Sequence, residues 1–144
     1  MRAVVCLVML VDALRWTRLD HAVDAERAFA GLFGASPYAF WLDSSLLQGR
    51  ARYSFLGEGA GLVAGDFDSL QARLDESAGV SLAGLPAELA CGYVGYFGYE
   101  LPAYDGVHRP HGSPFPDAAW LRADRFLAVD HWERRTWLVE RGDT

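Results

Sequence analysis

Between Cys91 and Leu101 the chain reads CGYVGYFGYEL, with Gly92, Gly95 and Gly98 at every third position and Tyr93, Tyr96, Phe97 and Tyr99 among them. No other stretch limits the fold as much. The run fits neither GxGxxG nor a Walker pattern, so a phosphate cradle is a poor reading of its glycines. What glycine supplies here is room: a neighbouring backbone can approach where no Cβ stands, and aromatic rings fill the space on either side. The expectation is close backbone packing over residues 89–99.

A second segment, FWLDSSLLQGRARYSFLG from Phe40 to Gly57, puts polar groups where an apolar strand ends. Ser36-Pro37 breaks the chain before it, and Tyr38 to Ser44 reads as a mostly buried strand rich in aromatics. Gln48-Gly49 supplies a turn, and Arg52 to Leu56 alternates polar and apolar residues. Tyr38 to Leu56 therefore predicts a hairpin closed by a loop around Leu46 to Arg50. Asp43, Ser44 and Ser45 have two readings. They cap the hairpin turn through nearby backbone N–H groups, or they face a ligand's ammonium or amide. Arg50, Arg52, Tyr53 and Ser54 follow on the second strand, where an Arg facing Asp43 makes a charge-assisted pair, as a pocket wall or a solvated edge. Tyr53 reads as core packing more than as ligand contact.

Elsewhere the pattern alternates short helices with strands. Asp24 can cap a helix over Ala25 to Phe33 that ends at Gly34, with Ala28, Phe29, Leu32 and Phe33 on its apolar face. Gly57, Gly59 and Gly61 read as a turn before the short apolar run Leu62 to Ala64. Asp66 or Asp68 then caps a second helix reaching about Ser77, with Phe67, Leu70 and Leu74 on one face and Gly79 at its end. Leu82 to Pro86 is a connector, and Pro102 to Pro116 holds four of the six prolines and reads as a loop. Strands near Ala118 to Asp130 and Thr136 to Glu140 flank a polar turn at His131 to Arg135.

A chain of 144 residues with 51% hydrophobic and 22% charged residues suffices for one domain with a core, and its 8 Phe, 6 Tyr and 5 Trp imply a dense core or a large apolar face. A net charge of -6 argues against nucleic acid, whose phosphates need a basic face. All 13 basic residues are Arg, which removes a P-loop lysine, a Schiff-base lysine and a pyridoxal-phosphate anchor together. Cys6 and Cys91 form neither a CxxC motif nor a disulfide framework, which fits a reducing cytoplasm. The opening MRAVVCLVMLV outlines a short signal peptide but has no small-residue cleavage site and is too short to span a bilayer. Residues 1–13 thus read as a first strand or an N-terminal extension, and residues 14–144 as the domain. His108 and His111 in HRPH bring no third metal ligand at a recognisable spacing. Glu88, Glu100 and Asp105 have no fixed geometry, so the chain offers no self-sufficient catalytic or metal site.

The two opening segments, with PDAAWLRADRFLAVDH nearer the end, resemble the N-terminal domain of the anthranilate synthase and aminodeoxychorismate synthase component I family. The resemblance runs from about Leu14 to Glu140. It is closer to aminodeoxychorismate synthase component I, because only Leu46 to Gln48 separate the DSS cluster from GRARYS. The resemblance implies an α/β (α+β) fold, with packed antiparallel sheets partly covered by a few helices. It also implies that Leu42, Asp43 and Ser44 belong to an allosteric tryptophan pocket, Asp43 standing where the family usually has Glu; Arg52, Tyr53 and Ser54 on the facing strand are the further candidates for its wall. In that family the full enzyme converts chorismate, with ammonia from a glutamine amidotransferase component II, to an aminated product. Its magnesium and chorismate sites lie in a C-terminal catalytic region. The expectation is a non-catalytic module, lacking that half and inclined to associate with it.

Overall fold

The structure, a computed structural model, describes residues 4–5, 8–9, 14–21, 23–44, 52–75, 92–98 and 114–141. In chain order its elements are β1 (Val4–Val5), β2 (Val8–Met9), β3 (Leu14–Leu19), α1 (Ala25–Ala28), β4 (Ala39–Leu42), β5 (Tyr53–Ala64), α2 (Phe67–Asp75), β6 (Gly92–Phe97), β7 (Ala118–Asp130) and β8 (Arg135–Arg141). A π-helical turn, Phe29–Phe33, continues α1. The fold class is α+β, built mostly from antiparallel sheet.

β7 organises the sheet. Along one edge it pairs with β5 through nearly its whole length, and β4 lies outside β5. Along the other edge the first half of β7 pairs with β6 and the second half with β8. The N-terminal strands complete that side, β1 and β2 on β6 and β3 on β8. β1 and β2 share one register on β6, since Val4 pairs with Phe97 and Val8 with Tyr93. β4 and β5 form the expected hairpin, with Phe40 opposite Gly57 and Leu42 opposite Phe55.

Alternation along these strands sorts the core onto two faces. Phe40, Val94, Ala123, Phe126, Ala128 and Val139 gather on one, joined by Trp16, Leu42, Phe55 and Leu121. Phe126 is fully buried there, its ring 6.3 Å from Phe40 and 6.1 Å from Phe55. Both helical segments cover the opposite face. Phe29 and Phe33 close over Leu56, Leu127 and Val129, while Leu70 and Leu74 of α2 pack with Tyr93, Ala118 and Trp120. Between the two helices, Arg125 reaches Glu58 at 3.5 Å and Glu140 at 3.4 Å, and Arg15 reaches Glu140 at 2.9 Å. These charges alternate across four strands between the two apolar patches.

Both helices start as expected. The Arg27 N–H donates to Asp24 at 2.9 Å, and the Ser69 N–H and hydroxyl donate to Asp66 at 2.9 and 2.7 Å, which hold its carboxyl below the ordinary range. The expected face of the first helix is corrected at Leu32, which is 56% exposed, because the wider π turn rotates it away from Phe33. Gly34 ends that segment in right-handed backbone (φ -62°), so what it contributes is space: a Cβ there would stand 2.6 Å from the Ala30 carbonyl oxygen.

The expected turn at Gly57, Gly59 and Gly61 is also corrected. β5 runs through all three glycines, with register shifts on either side of Gly59 that keep it paired to β7. A Cβ on Gly57 would strike Phe126, and one on Gly59 would stand 2.5 Å from the Arg122 carbonyl oxygen. Glycine there admits a neighbouring strand instead of reversing the chain. Residues 45–51, 76–91 and 99–113 lie outside the described residues, and with them Ser45, the predicted hairpin loop, Gly79, Cys91, the proline-rich loop as far as residue 113, and His108 and His111.

Candidate functional site

Three chain segments, two of them the arms of one hairpin and the third distant in sequence, meet at one end of the sheet. They are Asp43 and Ser44 just past β4, Arg52 to Ser54 entering β5, and Asp130 to Arg134 joining β7 to β8. Register brings them together. Tyr53 faces Asp130 and Ser54 faces Val129, while the His131 N–H donates to the Arg52 carbonyl oxygen at 2.9 Å.

Ser54 is fully buried, and its hydroxyl oxygen has three polar neighbours. The Ser44 N–H donates to it at 2.9 Å, the hydroxyl donates to Asp43 Oδ1 at 3.1 Å, and His131 Nε2 lies 2.7 Å away. An acid, a hydroxyl and an imidazole in contact invite comparison with a nucleophilic triad, but the order is wrong. Serine sits between the other two, so the imidazole is not oriented by the carboxylate and the hydroxyl is enclosed by its own partners. The arrangement holds groups in place. It does not activate a nucleophile.

Arg52 forms the second half of the cluster. Its Nε lies 3.1 and 3.0 Å from the two Asp130 oxygens, its Nη2 reaches Asp130 Oδ2 at 2.6 Å, and the same nitrogen reaches Glu133 at 3.1 Å. The guanidinium carbon lies over the Tyr53 ring at 4.9 Å and the Trp132 ring at 5.5 Å. Asp130 is fully buried and also accepts the Trp132 and Glu133 N–H groups at 2.9 and 3.1 Å, so one carboxylate closes the β7–β8 turn and anchors β5. Burial pushes the Asp130 carboxyl upward, but the Arg52 hydrogen bonds and the two amides outweigh it and hold the group below the ordinary carboxylate range. The bond to Asp130 raises the Arg52 guanidinium in turn. Burial first, then the Asp130 charge, raises the Tyr53 phenol.

The six residues expected to line a pocket are thus brought to one end of the sheet but divided by its faces. Leu42 packs with Phe55 and Phe126 on the face away from the helices, and Tyr53 stacks on Phe55 at 6.0 Å. Asp43 and Ser54 meet on the helix-covered face, and Ser44 contributes its N–H. Arg52 turns to Asp130 and Glu133, which corrects an Arg52–Asp43 pairing; Arg50 lies outside the described residues. Sequence reasoning missed His131 and Asp130. The available signal was Asp130 itself, a carboxylate ending a long apolar strand two residues before Trp132, as Asp43 ends β4.

Among the described residues no group of three or more His, Cys, Asp or Glu side chains is arranged to hold a metal ion. No described helix is long and apolar enough to cross a membrane.

No protein-family model matches the chain. It is 37% identical over 148 residues to an aminodeoxychorismate synthase of Streptomyces pristinaespiralis, a match covering 84% of this chain and 20% of that protein. A protein of the same name in Streptomyces griseus is 37% identical over 141 residues, covering 81% of this chain and 20% of its own length. Anthranilate synthase component 1 of Streptomyces coelicolor is 35% identical over 132 residues, covering 84% and 25%. The chain therefore spans about a fifth to a quarter of the curated relatives it matches. In those relatives the matched stretch is one part of a longer protein. The chain belongs to the aminodeoxychorismate synthase and anthranilate synthase component I family, as a match to its N-terminal domain.

Proposed function

We propose that the chain is the non-catalytic N-terminal region of an aminodeoxychorismate synthase component I-like enzyme. That enzyme forms 4-amino-4-deoxychorismate, on the route to p-aminobenzoate and folate, from chorismate and ammonia. Identity of 37% across 84% of the chain to proteins named aminodeoxychorismate synthase carries this reading. Chorismate and magnesium would bind in a C-terminal catalytic region, ammonia would come from a glutamine amidotransferase component II, and the assembly would work in the cytoplasm. The test mixes the purified chain with chorismate, an ammonium salt, magnesium and a separately expressed C-terminal region. Product is expected only when both parts are present, and turnover by this chain alone would refute the non-catalytic reading. The likeness to anthranilate synthase component 1 supports a second reading, which release of anthranilate in the same assay would establish.

The sheet end is proposed as a rim for an aromatic amino acid, tryptophan first. Asp43 is an exposed carboxylate at the end of β4, suited to an ammonium group, and on the same face of that strand the half-exposed Trp41, its ring 5.3 Å from that of Phe29, supplies apolar surface, while Leu42, Tyr53 and Phe55 back the strands from the other face. Ser54 and Arg52, occupied by partners within the chain, hold this rim in shape. Calorimetry is expected to show tryptophan binding more tightly when the C-terminal region is present, because the resemblance implies a pocket walled by both regions. Equal binding by the chain alone would favour an independent sensor.

A further inference from the structure

We infer that His131 is a positioning residue for the Asp43 end of the rim, acting through Ser54. The inference rests on the effector reading for its purpose and on hydrogen-bond accounting for its substance. A serine hydroxyl has one proton to donate and two lone pairs to accept with. The Ser44 N–H can only donate and takes one lone pair, at 2.9 Å. An ionised Asp43 can only accept and takes the hydroxyl proton, at 3.1 Å. The second lone pair then faces His131 Nε2 at 2.7 Å, and that nitrogen must carry a proton to complete the set. His131 is thereby fixed with its proton on Nε2, and a buried hydroxyl with every site filled has one orientation. That orientation sets where Asp43 Oδ1 and the Ser44 amide stand.

His131 itself is held from the other side. It opens the β7–β8 turn that the Asp130 carboxylate closes through Trp132 and Glu133, and its own N–H is bound to the Arg52 carbonyl. A chain of contacts therefore leads from the Arg52–Asp130 pair through His131 and Ser54 to Asp43, and it joins the two halves of the cluster. No other described side chain is recorded in hydrogen-bond contact with the Ser54 hydroxyl.

The test compares the full chain with His131→Ala and His131→Gln, since a glutamine amide keeps a donor near the Nε2 position. In the unsubstituted chain, nitrogen NMR of the imidazole is expected to show the Nε2-protonated form. Exchange of the Ser44 amide is expected to rise in His131→Ala and to return toward its original rate in His131→Gln. With the C-terminal region present, His131→Ala is expected to weaken tryptophan binding about tenfold and His131→Gln about threefold or less, the tenfold loss matching one charge-assisted contact. A proton on Nδ1 alone, unchanged Ser44 exchange in His131→Ala, or no rescue by His131→Gln would overturn the inference. If the unsubstituted assembly binds no tryptophan, the effector reading falls, while the two NMR measurements still decide the role of His131.

Discussion

Replacing Gly95 with Ala tests whether the glycine-aromatic run is a packing device. Gly95 faces Trp120 across β6 and β7. A Cβ added there would strike the Ala119 carbonyl oxygen and stand 2.6 Å from Trp120 Cε3 and 2.8 Å from Trp120 Cα. Two of these obstacles are backbone, and the third is a ring only 1% exposed, so no flexible side-chain end can yield. Overpacking of this kind typically costs about 1–3 kcal/mol, and backbone obstruction places Gly95→Ala near 3. Restricting the unfolded chain returns about 0.4–1 kcal/mol where the native backbone accepts alanine, leaving a net loss of roughly 2 kcal/mol. Gly61 provides the control. It lies in β5 with nothing within 4 Å of the added Cβ, so Gly61→Ala is expected to fall within about 0.5 kcal/mol of the original. Urea unfolding of the three proteins measures the difference, and Tm should fall by roughly 4–8 °C for Gly95→Ala alone. Equal midpoints for the two variants would refute the packing argument and return the glycines to a conformational role.

Two further expectations follow from the core and the buried carboxylate. Phe126→Ala removes a fully buried ring that touches Phe40 and Phe55, and should cost about 3–5 kcal/mol in urea unfolding; a loss below about 1 kcal/mol would mean that this face is not the core. Asp130 has a lowered folded pKa, so its contribution to stability is fully present above the unfolded value of about 3.9 and is lost as pH falls through the folded value. Asp130→Asn should therefore lower stability at neutral pH and narrow its gap to the original chain in acid, measured as urea midpoint against pH; a gap that stays constant would sink the assignment.

Features with local causes were legible in the sequence. The β4–β5 hairpin, both helix starts and the β7–β8 pair each follow from alternation, a capping carboxylate or a polar turn within about a dozen residues. The glycines of β5 misled because Gly57, Gly59 and Gly61 carry the same letter for different reasons. Gly57 and Gly59 admit β7, whereas Gly61 faces open space, and only the strand across from them tells these cases apart. Leu32 left the predicted face because a π turn inserts a residue that an α-helical period does not contain. The site was legible in half. Asp43, Ser44 and Ser54 stood out as polar groups at strand ends, but their link to His131 and the Arg52–Asp130 pair spans 77 and 78 positions, and no local pattern encodes a partner at that distance.

The length of β7 connects fold to site. Because this single strand holds β5 on one edge and β6 then β8 on the other, its final residues stand where three strand ends coincide, and a carboxylate placed there can bond to two of them at once. Asp130 does so, fastening Arg52 of the β5 entry and the turn into β8 with one buried group. The bulged register at Gly59 lies at the middle of the same strand pair, away from this end, so the irregularity of the sheet is absorbed where the charged gap already separates the helices. The end near Asp43 is left with an unbroken ladder from Tyr53–Asp130 to Glu58–Arg125. The proposed effector rim would draw on that rigidity more than on reactive groups. It follows that substitutions at Gly59 should alter stability without altering the geometry of Ser54, whereas substitutions at Asp130 should alter both.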